Sequence, residues 1–504
     1  MNLLSTTASP HRAHRRTITR FVALLITVIL GRGAVAAQQL APGLCPAGSP
    51  FNIQPTFSTF FPGMPGIPLL RHTINTAVYT DAECNDGSPA VMYIRPANAA
   101  YAGNPIVNPS SKWVIFLDGG ASCQDADSCL LERWCSGGGQ IFDRAGKMSS
   151  QGAAQAIISP GGIFELVPPS PLINHFADYN HVLVHYCSSD NWIGSGEKLG
   201  LSTTTGTFFD IEFRGEAIVN AVFATLQAGA TRPDLAPAGN FYATQLPDLR
   251  DASEIILAAE SAGGGGLRHH LDRLRESVIL PVATNPNVVV RGLIDAGAPP
   301  DMGGATLTYG APGAPVNYAD FLLNFQEPVV RGFWEADDSA LDQSCLNPVW
   351  APWHIPAGGH PQVCYDTTYT LLNHITTPVF LRQDINDPLG KMRYVAWSLF
   401  PAPDDFWSAT FNQLTLFGSY APAVGGLEPP LASPGVQGPK CGLHVAVQTN
   451  NGFFRHTVVA PGLLSLSFHD LFVNWLNGLP PGPDTIQIQT DNLGPGFYTA
   501  SFCP

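Results

Sequence analysis

Five short, nearly continuous apolar runs constrain what this chain can fold into more than any other feature. They are "WVIFL" (Trp113 to Leu117), "HVLVHY" (His181 to Tyr186), "IILAAE" (Ile255 to Glu260), "VVVRGLI" (Val288 to Ile294) and "PVFLRQ" (Pro378 to Gln383). A strand with one wet face alternates apolar and polar residues, so unbroken apolar runs suit strands buried on both faces of a parallel sheet. Helical spacing lies between them: Ile211, Ile218, Val222 and Leu226 fall on one helix face. The segments Leu267 to Leu274 and Leu471 to Leu476 read as further helices. Strands alternating with helices predict a doubly wound α/β domain whose ligands gather at the carboxyl ends of the strands. The loop-rich stretch between Asp295 and Pro378 reads as an insertion over that edge.

A chain of 504 residues that is 45% hydrophobic and 13% charged can bury a large core, and its 50 glycines and 45 prolines imply many connecting loops around it. The formal charge of −14 argues against a nucleic-acid partner, whose phosphates demand basic stripes. Arg12, Arg15, Arg16 and Arg20, the apolar "FVALLITVIL" and the small residues Ala34 to Ala37 read as a signal peptide over residues 1–37. Residues 38–74 read as an extended arm and 75–504 as one catalytic domain. No other segment is apolar enough to serve as a membrane anchor, so a secreted protein is expected. Ten cysteines, all beyond the leader, fit that oxidising route as up to five disulfides. No C-x-x-C pair or H-E-x-x-H occurs, so no metal is expected.

The stretch "LAAESAGGGGLRHHLDRL" (Leu257 to Leu274) places Ser261 between an apolar run and an amphipathic tail. Strand, sharp turn and helix are what a nucleophile elbow needs, because the hydroxyl must project above the sheet with the next N–H, that of Ala262, aimed at an oxyanion. The usual elbow reads G-x-S-x-G; here Ala259 stands at the first glycine. A glycine-rich phosphate cradle is the rival reading, but the G-K-[ST] ending of a P-loop and the G-x-G-x-x-G of a dinucleotide fold are both missing. A purely structural strand-to-helix turn stays open. Gly119 and Gly120, straight after "WVIFLD", supply a candidate oxyanion loop.

Several blocks in one order resemble the pectin acetylesterase and Notum family of secreted carboxylesterases. They are "CNDGSPAVMYIRP", "WVIFLDGGASC", "HYCSSDNWIGS", "LAAESAGGGG" with "RGLIDAG", and "PVFLRQDIND" followed by "CGLHVAV" and "SFHDLFVNW". The resemblance implies an α/β-hydrolase fold, a mostly parallel sheet with helices on both faces and loop-rich insertions. It also implies a serine carboxylesterase that needs no cofactor. The family's serine falls on Ser261, its acid on Asp387 with Asp384 the nearby rival, and its histidine on His469 just before the last helix. The oxyanion would be received by the N–H groups of Gly120, Ala121 and Ala262. His444, read as part of a "GLHVAV" strand, is assigned a structural role. His456 lacks a family match, and His269 and His270 are assigned to the surface or to packing. The resemblance further implies the pairs Cys84–Cys187, Cys123–Cys129 and Cys345–Cys364, leaving Cys45, Cys135, Cys441 and Cys503 unassigned.

Ala121 departs from the tryptophan of the Notum-like pattern, and Glu260 sets a carboxylate beside the nucleophile. The expected substrate is an acylated polysaccharide, with acetyl esters of pectin first. The alternatives are a longer acyl chain on a protein and a non-catalytic binding protein on a hydrolase scaffold.

Overall fold

The computed structural model describes residues 38–41, 44–45, 68–97, 110–135, 147–153, 157–168, 171–227, 247–298, 300, 328–346, 364–391, 403–419, 434–458, 465–479 and 482–489. In chain order the strands are β1 (Gln38–Gln39), β2 (Leu69–Thr73), β3 (Val91–Arg95), β4 (Lys112–Leu117), β5 (Ile157–Ile158), β6 (Asn180–Val184) and β7 (Glu197–Ser202). They continue with β8 (Phe208–Glu212), β9 (Glu254–Glu260), β10 (Val289–Asp295), β11 (Val379–Arg382), β12 (Gly435–Gly438) and β13 (Ile486–Ile488). The main helices are α1 (Gly215–Leu226), α2 (Ala262–Arg273), α3 (Thr367–Asn373), α4 (Pro403–Ser419), α5 (Asn450–Arg455) and α6 (Phe468–Leu476).

Ten strands form one sheet in the order β13-β12-β11-β10-β9-β4-β6-β3-β2-β5. From β13 to β6 every pairing is parallel, and β3, β2 and β5 complete the sheet antiparallel. The five apolar runs all become strands of the parallel part. Alternate side chains face separate cores. Trp113, Ile115 and Leu117 of β4 pack with α1 and α2, whereas Val114 and Phe116 pack with the phenylalanines of α5 and α6. The residues of β9 divide in the same way, Ile255 and Leu257 to one face and Ile256 and Ala258 to the other. Burial on both faces thus accounts for the missing polar alternation. The result is an α/β-hydrolase fold.

Two expectations need correction. Ile211 does not join α1 but lies in β8, paired with Lys198 of β7. The helix begins four residues later because the buried Asp190 carboxylate accepts the Gly215 N–H at 2.8 Å, satisfying a donor that a helix start leaves open. The stretch read as an arm also contributes sheet: Leu69–Thr73 pairs antiparallel with β3, and Gln38–Gln39 lies parallel to β8 in a small sheet ordered β1-β8-β7.

Disulfides join Cys45 to Cys135, Cys84 to Cys187, Cys123 to Cys129 and Cys345 to Cys364. Cys441 is disulfide-bonded as well, while Cys503 and residues 1–37, the stretch read as a signal peptide, lie outside the described residues. Among the described residues no helix is long and apolar enough to cross a membrane.

Candidate active site

Ser261 sits between β9 and α2 with φ 52° and ψ −123°. That is left-handed backbone for a residue with a Cβ, a strain of about 1–3 kcal/mol that surrounding structure must impose. Two backbone hydrogen bonds hold it: Ser261 N–H donates to Asp295 O at 2.8 Å, and its carbonyl accepts from Gly265 at 3.0 Å. The glycines permit the close approach. A Cβ on Gly119 would lie 2.6 Å from Glu260 O and 2.8 Å from Ser261 Cβ. One on Gly264 would meet the Gly297 Cα at 2.8 Å, and one on Gly263 would overlap the Leu117 carbonyl. Small residues therefore bring the start of α2 directly against the backbones of β4 and β10.

The base geometry belongs to a different histidine from the one expected. His444 Nε2 lies 2.8 Å from Ser261 Oγ, and its Nδ1 lies 2.8 Å from Asp387 Oδ2. Asp387 is buried and also accepts from Gln383 Nε2 at 2.9 Å, Leu389 N–H at 2.9 Å and Gly390 N–H at 3.1 Å. Burial pushes its carboxyl up, but the hydrogen bonds from His444, Gly390 and Gln383 outweigh burial and hold it below the usual carboxylate value. An ionised carboxylate only accepts, so Nδ1 must be the protonated nitrogen. The Nε2 lone pair is then free to accept from the Ser261 hydroxyl.

His469 is not brought to Ser261. Its Nε2 accepts from the His175 N–H at 3.2 Å, and its Nδ1 lies 3.0 Å from Asp470 Oδ1. The ring is packed among Phe176, Phe453 and Phe454. Both nitrogens are occupied in a buried aromatic cluster on the α5–α6 side. His444 in turn is not on a strand. Gly442 adopts φ 70°, and the Asp384 carboxylate takes the N–H groups of Cys441, Gly442 and Leu443, so "CGLHVAV" forms a loop after β12. Asp384, the rival acid, is turned to that backbone and lies 3.8 Å from His456 Nε2. His269 and His270 are buried, and His270 Nε2 lies 2.7 Å from the Trp192 carbonyl.

The oxyanion loop follows β4. Gly120 (φ 151°) and Ala121 (φ 59°) have unusual backbone, and no described residue takes the N–H of Gly120, Ala121 or Ala262. Arg133, fully buried, donates to the Gly120 carbonyl and to Ser189 Oγ. In a trans peptide the carbonyl and the following N–H point opposite ways, so anchoring Gly120 O turns the Ala121 N–H away from Arg133. Sequence reasoning did not single out Arg133. The block "CSSDNW" braces the same loop. Ser189, Asn191 and Trp192 all have positive φ, Trp192 Nε1 donates to Asp118 O at 3.0 Å, and Asn191 O lies against Gly266.

Two carboxyls flank the site from behind. Glu260 precedes the serine and Asp118 precedes the oxyanion loop, and one Gln448 amide bridges them, at 3.0 Å to Glu260 Oε1 and 3.4 Å to Asp118 Oδ1. Lys147 pairs with Asp118. Burial first, then the charges of Asp118 and Asp295, push the Glu260 carboxyl well above its usual value of 4.5. A raised carboxyl contributes stability that is present below 4.5 and lost as pH rises through the folded-state value. Glutamine does not titrate. The melting temperature of Glu260→Gln minus that of wild type is therefore expected to increase from pH 5 to pH 9 in thermal unfolding. A constant or falling difference would show that Glu260 is ionised throughout.

Residues 68–234 match the family model described as Pectinacetylesterase. Palmitoleoyl-protein carboxylesterase notum2 of Xenopus laevis is 29% identical over 214 residues, 42% of this chain and 34% of that protein. Palmitoleoyl-protein carboxylesterase NOTUM of Drosophila melanogaster is 30% identical over 220 residues, 43% of this chain and 26% of that protein. The matched stretch thus spans about a third or less of the length of these curated relatives. The crystal structure of the Wnt deacylase Notum from Drosophila superposes with a TM-score of 0.54 at 22% identity, covering 85% of this chain and 97% of that one, which shows the shared fold. Over residues 68–234 the chain is thus similar to the Pectinacetylesterase family, and it is similar in sequence to the Notum carboxylesterases and shares their fold.

Proposed function

We propose that the chain is a serine carboxylesterase in which Ser261, His444 and Asp387 carry out two-step acyl transfer. One observation carries the reading: an unbroken hydrogen-bonded chain from Ser261 Oγ through His444 to Asp387, 2.8 Å at each step, on a serine held in strained backbone. As Oγ attacks the ester carbonyl, its proton passes to His444 Nε2, and Asp387 stabilises the imidazolium that forms. The negative charge on the carbonyl oxygen is received by the N–H groups of Gly120, Ala121 and Ala262. The imidazolium then protonates the departing alcohol. Water, deprotonated by the same nitrogen, releases the acid.

The substrate we favour is a short O-acyl ester, acetyl on a pectin-like polysaccharide. Ala121 offers little apolar surface beside the oxyanion loop, where the Notum-like pattern has a tryptophan. The palmitoleoyl-protein carboxylesterases among its relatives support a second reading, removal of a longer acyl chain from a protein. An intact triad speaks against the non-catalytic alternative. The disulfides support an extracellular site of action. Hydrolysis of p-nitrophenyl esters from acetate to palmitate tests all of this. Wild type is expected to prefer acetate, and Ser261→Ala to fall to the uncatalysed background. Equal rates for the two proteins would end the esterase reading; a preference for eight carbons or more would select the longer-chain one.

A further inference from the structure

We infer that Asp295, Arg382 and Asp384 are positioning residues that set the register of His444 against Ser261; this rests on the triad reading above. All three side chains are fully buried at the carboxyl ends of β10 and β11, and none touches the reacting atoms. Together they take five of the seven main-chain N–H groups of 441–447 and two of its carbonyls. Asp384 accepts from the N–H groups of Cys441 at 3.0 Å, Gly442 at 3.1 Å and Leu443 at 3.1 Å. Arg382 donates to the carbonyls of Leu443 at 3.0 Å and His444 at 2.8 Å. Asp295 accepts from the N–H groups of Ala446 at 2.6 Å and Val447 at 2.8 Å. Arg382 and Asp295 are joined to each other at 2.8 Å.

Asp295 makes the link that matters most. Its own backbone carbonyl accepts the Ser261 N–H at 2.8 Å, while its side chain holds the loop that carries the base. Nucleophile and base lie 183 residues apart in the chain, yet both are referenced to this one residue. A loop of this composition has no ladder to fix it. "CGLHVAV" leaves β12, contains a glycine at positive φ, and carries polar main-chain groups that burial would penalise if unpaired. Buried charge is a costly way to stabilise a fold, and a hydrophobic replacement often does as well. Here the charges do what apolar side chains cannot: each fork or carboxylate takes two or three backbone groups at once and fixes them to within a hydrogen bond's tolerance.

The test compares Asp384→Asn, Asp295→Asn and Arg382→Lys with wild type, and with Val222→Ala, a core change in α1 remote from the loop, on p-nitrophenyl acetate. Displacement of a catalytic group by about 1 Å costs about 10²-fold in rate. For the folded clamp variants kcat is therefore expected to fall about 10- to 100-fold, with KM within about threefold. Their downfield imidazole N–H resonance from the His444–Asp387 hydrogen bond should broaden or vanish. Val222→Ala should lose melting temperature but keep kcat and that resonance. Folded clamp variants with wild-type kcat and an unchanged resonance would overturn the inference. So would an equal kcat loss in Val222→Ala, or failure of all three variants to fold, which would make the network a folding element. If Ser261→Ala and His444→Ala are as active as wild type, the triad reading itself fails, an outcome distinct from these.

Discussion

Replacing His444 with alanine is expected to lower kcat by about 10⁴- to 10⁶-fold, the range seen when the general base of a serine hydrolase is removed. His469→Gln is expected to leave kcat per folded molecule within about threefold, because the base role needs hydrogen-bond reach to the nucleophile. The two histidines differ in what their nitrogens touch. His444 spans Ser261 Oγ and Asp387 Oδ2, whereas His469 is engaged by the His175 N–H and Asp470 among phenylalanine rings. His469→Gln should therefore show itself in melting temperature, through lost aromatic packing, and His444→Ala in kinetics, since the His444 side chain is only partly buried. Steady-state kinetics and thermal unfolding of both variants decide the matter. A His469→Gln protein that is folded but inactive would return the base role to His469.

The second large effect is structural. Gly263→Ala is expected to cost about 3 kcal/mol or more, and Gly265→Ala, two residues along the same helix, to be neutral or to stabilise by up to about 1 kcal/mol. A Cβ on Gly263 would run into the Leu117 carbonyl and come within 2.7 Å of the Asp118 carbonyl, both rigid backbone. At Gly265 the nearest atom would be 3.8 Å away, on the Asn191 side chain, so only the helix propensity of alanine is felt. Equilibrium denaturation of the pair measures the contrast. Similar stabilities would mean that α2 can move off β4, and that the serine's strained backbone is not held by packing.

These outcomes bear on what the sequence made legible. Strands buried on both faces announce themselves because apolar residues run on without regular polar alternation, and β4, β9 and β10 are legible by that sign. Ser261 was legible from its junction between strand and helix even without the first elbow glycine. Ala259 fills that position with its side chain buried in the core. Asp387 was separable from Asp384 only by the resemblance; the structure supplies the reason, since one carboxylate holds a ring and the other holds backbone. The sequence points to His469 because "GLHVAV" has the alternation of a strand and His469 the loop-to-helix setting of a base, whereas the structure sets His444 against Ser261. What decides between them is a hydrogen-bond network of three buried charges, which no local periodicity records. Arg133 escaped notice for the same reason: its partner is a carbonyl, and carbonyls are invisible in a sequence.

The order of strands in the sheet has a consequence for synthesis. The oxyanion loop and Ser261 leave the ribosome with β4 and β9, but the imidazole arrives only after β12, and α6 and β13 follow it. If Ser261, His444 and Asp387 form the proposed triad, a nascent chain halted before residue 444 holds the serine without its base. On the proposed triad, competence to cleave waits until β12 docks beside β11 and the loop bearing His444 is captured.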